Sequence, residues 1–280
     1  MAGKVSLGGI ALITGASAAS GIGKETALSF AEAGAKGVAL ADINEEGALA
    51  AAEESKKCAK DASFKAIAVK VDITDETSVD NMVQTALKEF GRIDYSVNSA
   101  GMGNLSGAMT PNIKADMFSR TLDTNIRGTM LCVRAVSKAM AAQEPLSYES
   151  RRFGTRSLGR GSIVNLGSVN SYVAAPGMMP YTASKHAIVG ITKTAALDLL
   201  SSHIGVNSVC PAWVNTPMME ASLERVPQLD AVIKAVSPLK RAAVPEEVVD
   251  YIIFLCSPSG SYINGTGLIA DAGATLMMHT

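Results

Sequence analysis

The sequence predicts a doubly wound α/β fold, in which a parallel sheet is covered by helices on both faces. Three observations predict it. Short, β-branched apolar runs alternate with longer segments of helical period along nearly all of the 280 residues. The runs are continuously apolar, as strands buried on both faces are, rather than alternating apolar and polar. The first run passes through a glycine-rich turn directly into a helical segment, as the opening of a βαβ unit does.

Taken in order, Ile10–Thr14 (IALIT) reads as the first strand. Gly23–Ala33 follows as a helix, with Ala27, Phe30 and Ala31 along one face. The next apolar run, Gly37–Ala41, is a strand, and the Ala-rich, charged stretch Glu45–Lys57 a helix. The third strand is Ala66–Val71, followed by a helix from Asp75 to Phe90. Ile93–Asn98 is the fourth strand, and one long helix is expected from Ala115 to Ala142. Ser162–Leu166 is the fifth strand, Tyr181–Ser201 a helix and Val206–Val209 the sixth strand. Pro245–Cys256 reads as a helix and Leu268–Ala270 as the last strand. Two stretches break the alternation. Gln143–Arg160 is polar, holds four arginines and reads as a solvated surface loop. Pro217–Val244 holds three prolines and suits a mobile flap.

A chain of this length is expected to form one domain, residues 1–280, with its own core. A hydrophobic content of 48% with 18% charged residues excludes a disordered chain. Lys plus Arg number 25 and Asp plus Glu 26, a net charge of −1, which argues against a nucleic-acid binder and a polybasic membrane anchor. No uncharged apolar run is long enough for a transmembrane helix, and the first residues lack the order of a signal peptide. Cys58, Cys132, Cys210 and Cys256 are scattered, the habit of free thiols in a reducing compartment, so a cytoplasmic location is expected. The three histidines are scattered too, and no metal site is expected.

The turn after the first strand reads Thr14-Gly15-Ala16-Ser17-Ala18-Ala19-Ser20-Gly21-Ile22-Gly23. Glycines there let the backbone approach a pyrophosphate, and the following helix N-terminus offers N–H donors and a positive dipole end. A Gly/Ala-rich turn without a ligand is the plainer reading. Asp42 ends the second strand about twenty residues beyond the loop. Its carboxylate suits an adenosine ribose and repels a 2′-phosphate, unless it simply caps the next helix. With Ile43 behind it and no Lys or Arg in the loop, it favours NAD over NADP. Tyr181 and Lys185 lie four apart on one helix face. A nearby ammonium would lower the phenol's pKa and fit it to exchange a proton with an alcohol or ketone oxygen. An ordinary i,i+4 pair is the alternative. Ser168 ends the fifth strand, thirteen residues before Tyr181, where ligands bind in doubly wound sheets; it serves equally as a capping serine.

Taken together these residues resemble the short-chain dehydrogenase/reductase family, from about Gly9 to Gly273. Gly15, Gly21, Ile22 and Gly23 look like its cofactor loop, Asp72-Ile73 like its adenine contact and Asn98-Ser99-Ala100-Gly101 like its NNAG segment. Asn125, Ser168, Tyr181 and Lys185 match its catalytic tetrad in order and spacing. Pro211-Ala212-Trp213-Val214-Asn215-Thr216 looks like the segment flanking the nicotinamide. Asn264-Gly265 and Asp271-Ala272-Gly273 match its C-terminal end. The resemblance implies a three-layer α/β/α Rossmann fold with a seven-stranded parallel sheet. It also implies a homotetramer (or homodimer), built through the long helices. Tyr181 would be the general acid/base, Lys185 would lower its pKa and hold the nicotinamide ribose, and Ser168 would hold the substrate oxygen. Asn125 would carry a water linking Lys185 to solvent. Ser17, Ser20, Ile43, Ala100, Val214, Thr216 and Met218 complete the cofactor set that the resemblance implies.

Three departures stand out. Five residues separate Gly15 from Gly21 where the family usually has three, Ala212 replaces a common glycine, and the Gln143–Arg160 insertion has no standard counterpart. The expected substrate mouth is apolar: Met102, Leu105, Val169, Tyr172, Met178, Met179, Trp213, Met218 and Met219, with Arg120 and Arg127 on the long helix left unplaced. A bulky apolar alcohol or ketone fits such a mouth. The insertion resembles those of fungal members acting on polyketide or terpenoid alcohols. The expected function is therefore NAD(H)-dependent interconversion of a secondary alcohol and a ketone. The competing readings are a non-redox enzyme on the same cofactor site (isomerisation, dehydration or cyclisation) and a non-catalytic dinucleotide-binding protein.

Overall fold

The computed structural model describes residues 7–17, 20–104 and 107–277. Leu105 and the loop residues Ala18 and Ala19 lie outside these. Seven strands form one wholly parallel sheet: β1 (Ile10–Thr14), β2 (Gly37–Asp42), β3 (Lys65–Lys70), β4 (Tyr95–Asn98), β7 (Gly161–Leu166), β8 (Ile204–Pro211) and β9 (Gly267–Ala270). Their order is β3-β2-β1-β4-β7-β8-β9, so the winding reverses between β1 and β4. In sheets of this kind the crevice at that reversal, outside the strands' carboxyl ends, takes the ligand.

Strand period splits the core in two. Ala11, Ile13, Val38 and Leu40 point to one face, where they meet α1 (Ile22–Glu32), α2 (Glu45–Cys58) and α9 (Pro245–Cys256). Leu12, Ala39 and Ala41 point to the other, against α3 (Glu76–Phe90), α5 (Thr129–Ala141) and α6 (Met179–Asp198). Both faces are dry, which is why the strands read as unbroken apolar runs.

The expected long helix is present and carries a widened turn. It consists of α4 (Ala115–Leu122), a π-helical turn over Asp123–Gly128, and α5. Hydrophobic period does not register a widened turn of this kind, which side-chain contacts inside the fold settle. The insertion corrects its expectation. It is an antiparallel hairpin of β5 (Leu146–Ser150) and β6 (Gly154–Gly159), turned at Gly154 with φ +68°. Arg156 pins it to the body by donating to the Pro258 carbonyl (2.7 Å) and the Ser261 hydroxyl (2.9 Å), and its guanidinium lies over the Tyr148 ring. The flap carries two short helices, α7 (Pro217–Arg225) and α8 (Leu229–Val236).

Candidate active site

A cleft of about 1050 Å³ opens along the carboxyl ends of β1, β2, β3 and β4. The glycine loop forms its floor. Gly15 has φ +72°, and a Cβ on it would lie 2.6 Å from the Ala100 nitrogen; a Cβ on Gly23 would lie 2.2 Å from the Gly15 carbonyl. Both glycines are therefore demanded by the close approach of loop, α1 and β4. No side chain caps α1 at Gly21, so its first N–H groups are left for a ligand, and Gly21 and Ile22 line the cleft. This cradle fits a dinucleotide pyrophosphate.

The longer loop is held sideways. Ser17 N–H donates to Asp42 Oδ2 (3.1 Å), and Gly47 in α2 has no Cβ because Ser17 Cβ stands 2.7 Å from that place. Asp42 is not the helix cap; Asn44 is, its side chain accepting from Gly47 N–H. Asp42 instead lines the cleft beside the exposed Ile43. Across from them lie Asp72, whose carboxylate accepts from Thr74, and Ile73, packed where Gly128 leaves room. Ala100, Gly101, Met102, Thr216 and Met218 complete the predicted lining. Arg120 and Arg127, which sequence reasoning left unplaced, line the cleft as well, and Arg127 donates to the Thr74 carbonyl. Their signal was a common helix flank, set by their seven-residue spacing.

The tetrad residues gather beside the cleft. Gly101 connects the two: its missing Cβ would lie 3.2 Å from Asn125 Oδ1 and 4.0 Å from Lys185 Nζ. Asn125 accepts from Met102 N–H (2.7 Å) and donates to the Met102 carbonyl and Ser184 hydroxyl (both 3.0 Å), clamping the post-β4 segment to α6. Lys185 is buried, donates to the Leu166 carbonyl at 2.7 Å and stands 5.6 Å from the Tyr181 ring centre. Burial pushes its amine down to about 8. Partial burial also raises the Tyr181 phenol above its ordinary range, against the pull of the neighbouring Ser168 hydroxyl. This reverses the expected downward shift, because a phenolate withdrawn from water loses more than this setting returns.

Some predicted contacts lie elsewhere. The Asn98 side chain turns into the sheet and donates to Asn165 Oδ1 at 2.8 Å. Gly23, Pro211 and Val214 are buried behind the cleft, and Ser20 is exposed beside it. Met219, on the first turn of α7, is buried (8% exposed), while its neighbour Met218 is exposed. Trp213 is half-buried and does not line the cleft, nor do Val169, Met178 and Met179. Among the described residues no cluster of three or more His, Cys, Asp or Glu is placed to hold a metal, and no helix is long and apolar enough to cross a membrane.

A glycine cradle at the sheet's reversal, beside a Ser-Tyr-Lys cluster, defines a dinucleotide oxidoreductase. Residues 15–275 match the profile of the family described as enoyl-(acyl carrier protein) reductase, and the chain belongs to the short-chain dehydrogenase/reductase family. It is similar to short-chain dehydrogenase fogB of Aspergillus ruber, 51% identical over 258 residues, which are 91% of this chain and 93% of that one. It is also similar to short-chain dehydrogenase anuF of Penicillium roqueforti, 44% identical over 274 residues, 98% of each chain. The crystal structure of 3-ketoacyl-(acyl-carrier-protein) reductase from Brucella melitensis complexed with NADH matches with a TM-score of 0.80 at 29% identity, covering 96% of this chain and 98% of that one. The chain is thus an oxidoreductase with a nicotinamide dinucleotide cofactor.

Proposed function

We propose that this chain interconverts a secondary alcohol and a ketone on a bulky apolar substrate, with NAD(H) as cofactor and Tyr181 as general acid/base. The observation that carries the reading is that Lys185, whose amine reaches Gly101 of the cleft, lies beside the Tyr181 ring, with Ser168 next to that tyrosine. A bound nicotinamide supplies or accepts the hydride. Ser168 holds the substrate oxygen, and Tyr181, kept protonated by partial burial, gives that oxygen its proton during reduction. Lys185, still charged at neutral pH, is the group that restores the proton. Asn125 fixes the post-β4 backbone on which the substrate side of the cleft rests. The half-buried Met102 and the exposed Met218 supply the apolar mouth. A single domain, cytoplasmic, assembled as a homotetramer or homodimer, completes the proposal.

The direct test follows NADH absorbance with a panel of bulky ketones, 2-decalone first. Consumption of NADH supports the reading. Product formation with no absorbance change would replace it with a non-redox reaction. Cofactor choice is tested by calorimetry, since Trp213 does not line the cleft. Asp42 faces the cleft at the end of β2, so Asp42→Asn is expected to narrow the preference for NADH over NADPH roughly ten-fold, the scale of one charge-assisted hydrogen bond. An unchanged preference would remove Asp42 from the cofactor set.

A further inference from the structure

The reacting side chains come from different elements: Ser168 from the end of β7, Tyr181 and Lys185 from α6. Their mutual placement needs a tie, and the structure holds one in Ser171. This residue ends the single 3₁₀ turn Val169–Ser171 and is 4% exposed. Its hydroxyl oxygen accepts from Ser168 N–H at 3.2 Å, and its proton goes to the Lys185 carbonyl at 2.7 Å. As an interior helix carbonyl, Lys185 C=O has the N–H four residues on as its regular partner. The Ser171 bond therefore answers no unmet acceptor, and its effect is to fix one backbone against the other.

The surroundings are shaped to this hydroxyl. The buried Cys210 thiol, from the end of β8, packs beside it, 3.9 Å from the Ser208 hydroxyl. A Cβ on Gly167 would lie 2.5 Å from Cys210 Sγ and 3.0 Å from Ser171 Oγ, so the glycine is what admits both groups. Removing the hydroxyl leaves the Ser168 N–H without this acceptor and the Ser168 turn joined to α6 chiefly by Asn170, which donates to Thr182 at the surface end of the helix.

We infer that Ser171 is a positioning residue of the reaction, a buried hydroxyl that sets Ser168 against Tyr181 and Lys185 by joining their backbones. This rests on the reading of Ser168 and Tyr181 as the reacting pair. The test compares Ser171→Ala and Ser171→Cys with the parent protein in reduction of 2-decalone by NADH, across pH. Ser171→Ala is expected to bind NADH within about two-fold of the parent and lose roughly ten- to a hundred-fold in kcat, the cost of a small misplacement of reacting groups. Its pH profile is expected to move upward, because Ser168 no longer holds the phenolate. Ser171→Cys, a weaker donor and acceptor of similar shape, should fall between, and carries the test if the alanine variant does not fold. The substrate-free arm is the tyrosinate absorbance of each protein minus that of its Tyr181→Phe counterpart, recorded with NAD bound. Here Tyr181 should ionise at higher pH when Ser171 is replaced. Parental kcat, pH profile and Tyr181 titration in Ser171→Ala would overturn the inference, as would equal losses in both variants with no change in pH profile. Turnover retained in Tyr181→Phe would instead overturn the reading beneath it.

Discussion

Tyr181→Phe is expected to lower turnover about a thousand-fold while leaving NADH binding within two-fold, the middle of the range for loss of a general acid. The argument is local. The substitution keeps the ring beside Lys185 and removes only the hydroxyl near Ser168. The cofactor cradle is built from Gly15, Gly21, Ile22 and Asp42, none of which involves that hydroxyl. Loss of rate without loss of affinity is the pattern of an interaction made only in the transition state. Partial desolvation keeps the Tyr181 phenol protonated and neutral at neutral pH, so the parent protein enters reduction with its acid holding a proton. The decisive measurement pairs calorimetric NADH binding with the rate of ketone reduction for both proteins. A variant that keeps a tenth of parental turnover would show that water or Ser168 supplies the proton and that Tyr181 is a packing residue.

The architecture was legible because its strands are buried on both sides. Ile10–Thr14 and Pro245–Cys256 fall where the apolar runs placed them, and the sheet order follows from winding such strands in sequence. What escaped has no hydrophobic signature. The 146–159 hairpin is short and largely exposed: β5 alternates half-buried and exposed residues over only five positions, and β6 carries no apolar run, so neither stands out as a strand; Arg156, Tyr148 and the Gly154 turn hold the hairpin. The π-helical turn at Asp123–Gly128, which carries Asn125 and Arg127, widens the helix without altering its hydrophobic pattern. At the site, residue types and spacing located the cluster, but the sign of the Tyr181 shift depended on depth of burial, which spacing does not encode. Asp42 shows the same limit. The sequence left it between a helix cap and a ligand group, and only the capping bond of Asn44 to Gly47 decides which residue is the cap.

Lys185→Met is expected to cost at least about ten-fold in turnover and yet to stabilise the fold at neutral pH. Burial lowers the folded amine to about 8 from an ordinary 10.5. The unfolded chain therefore holds this proton more tightly than the native one, and folding must place a cation where it is poorly solvated. At roughly 1.4 kcal/mol per unit, that penalty is about 3 kcal/mol. It is present in full below pH 8, fades as pH rises from about 8 towards 10.5, and is absent above. Methionine fills similar volume without the charge but forfeits the bond to the Leu166 carbonyl, which returns part of the gain. A net gain of about 1–2 kcal/mol at pH 6.5, or roughly 2–6 °C in Tm for a chain of this size, is the expected balance. The gain should shrink through pH 8–10 and then reverse, since the neutral amine keeps its bond to Leu166 while its solvation penalty is gone. Thermal unfolding of both proteins across pH 6–10 gives the answer. A methionine variant less stable than the parent at pH 6.5, or a difference that does not move with pH, would mean that the Lys185 ammonium is held by its surroundings rather than strained by them.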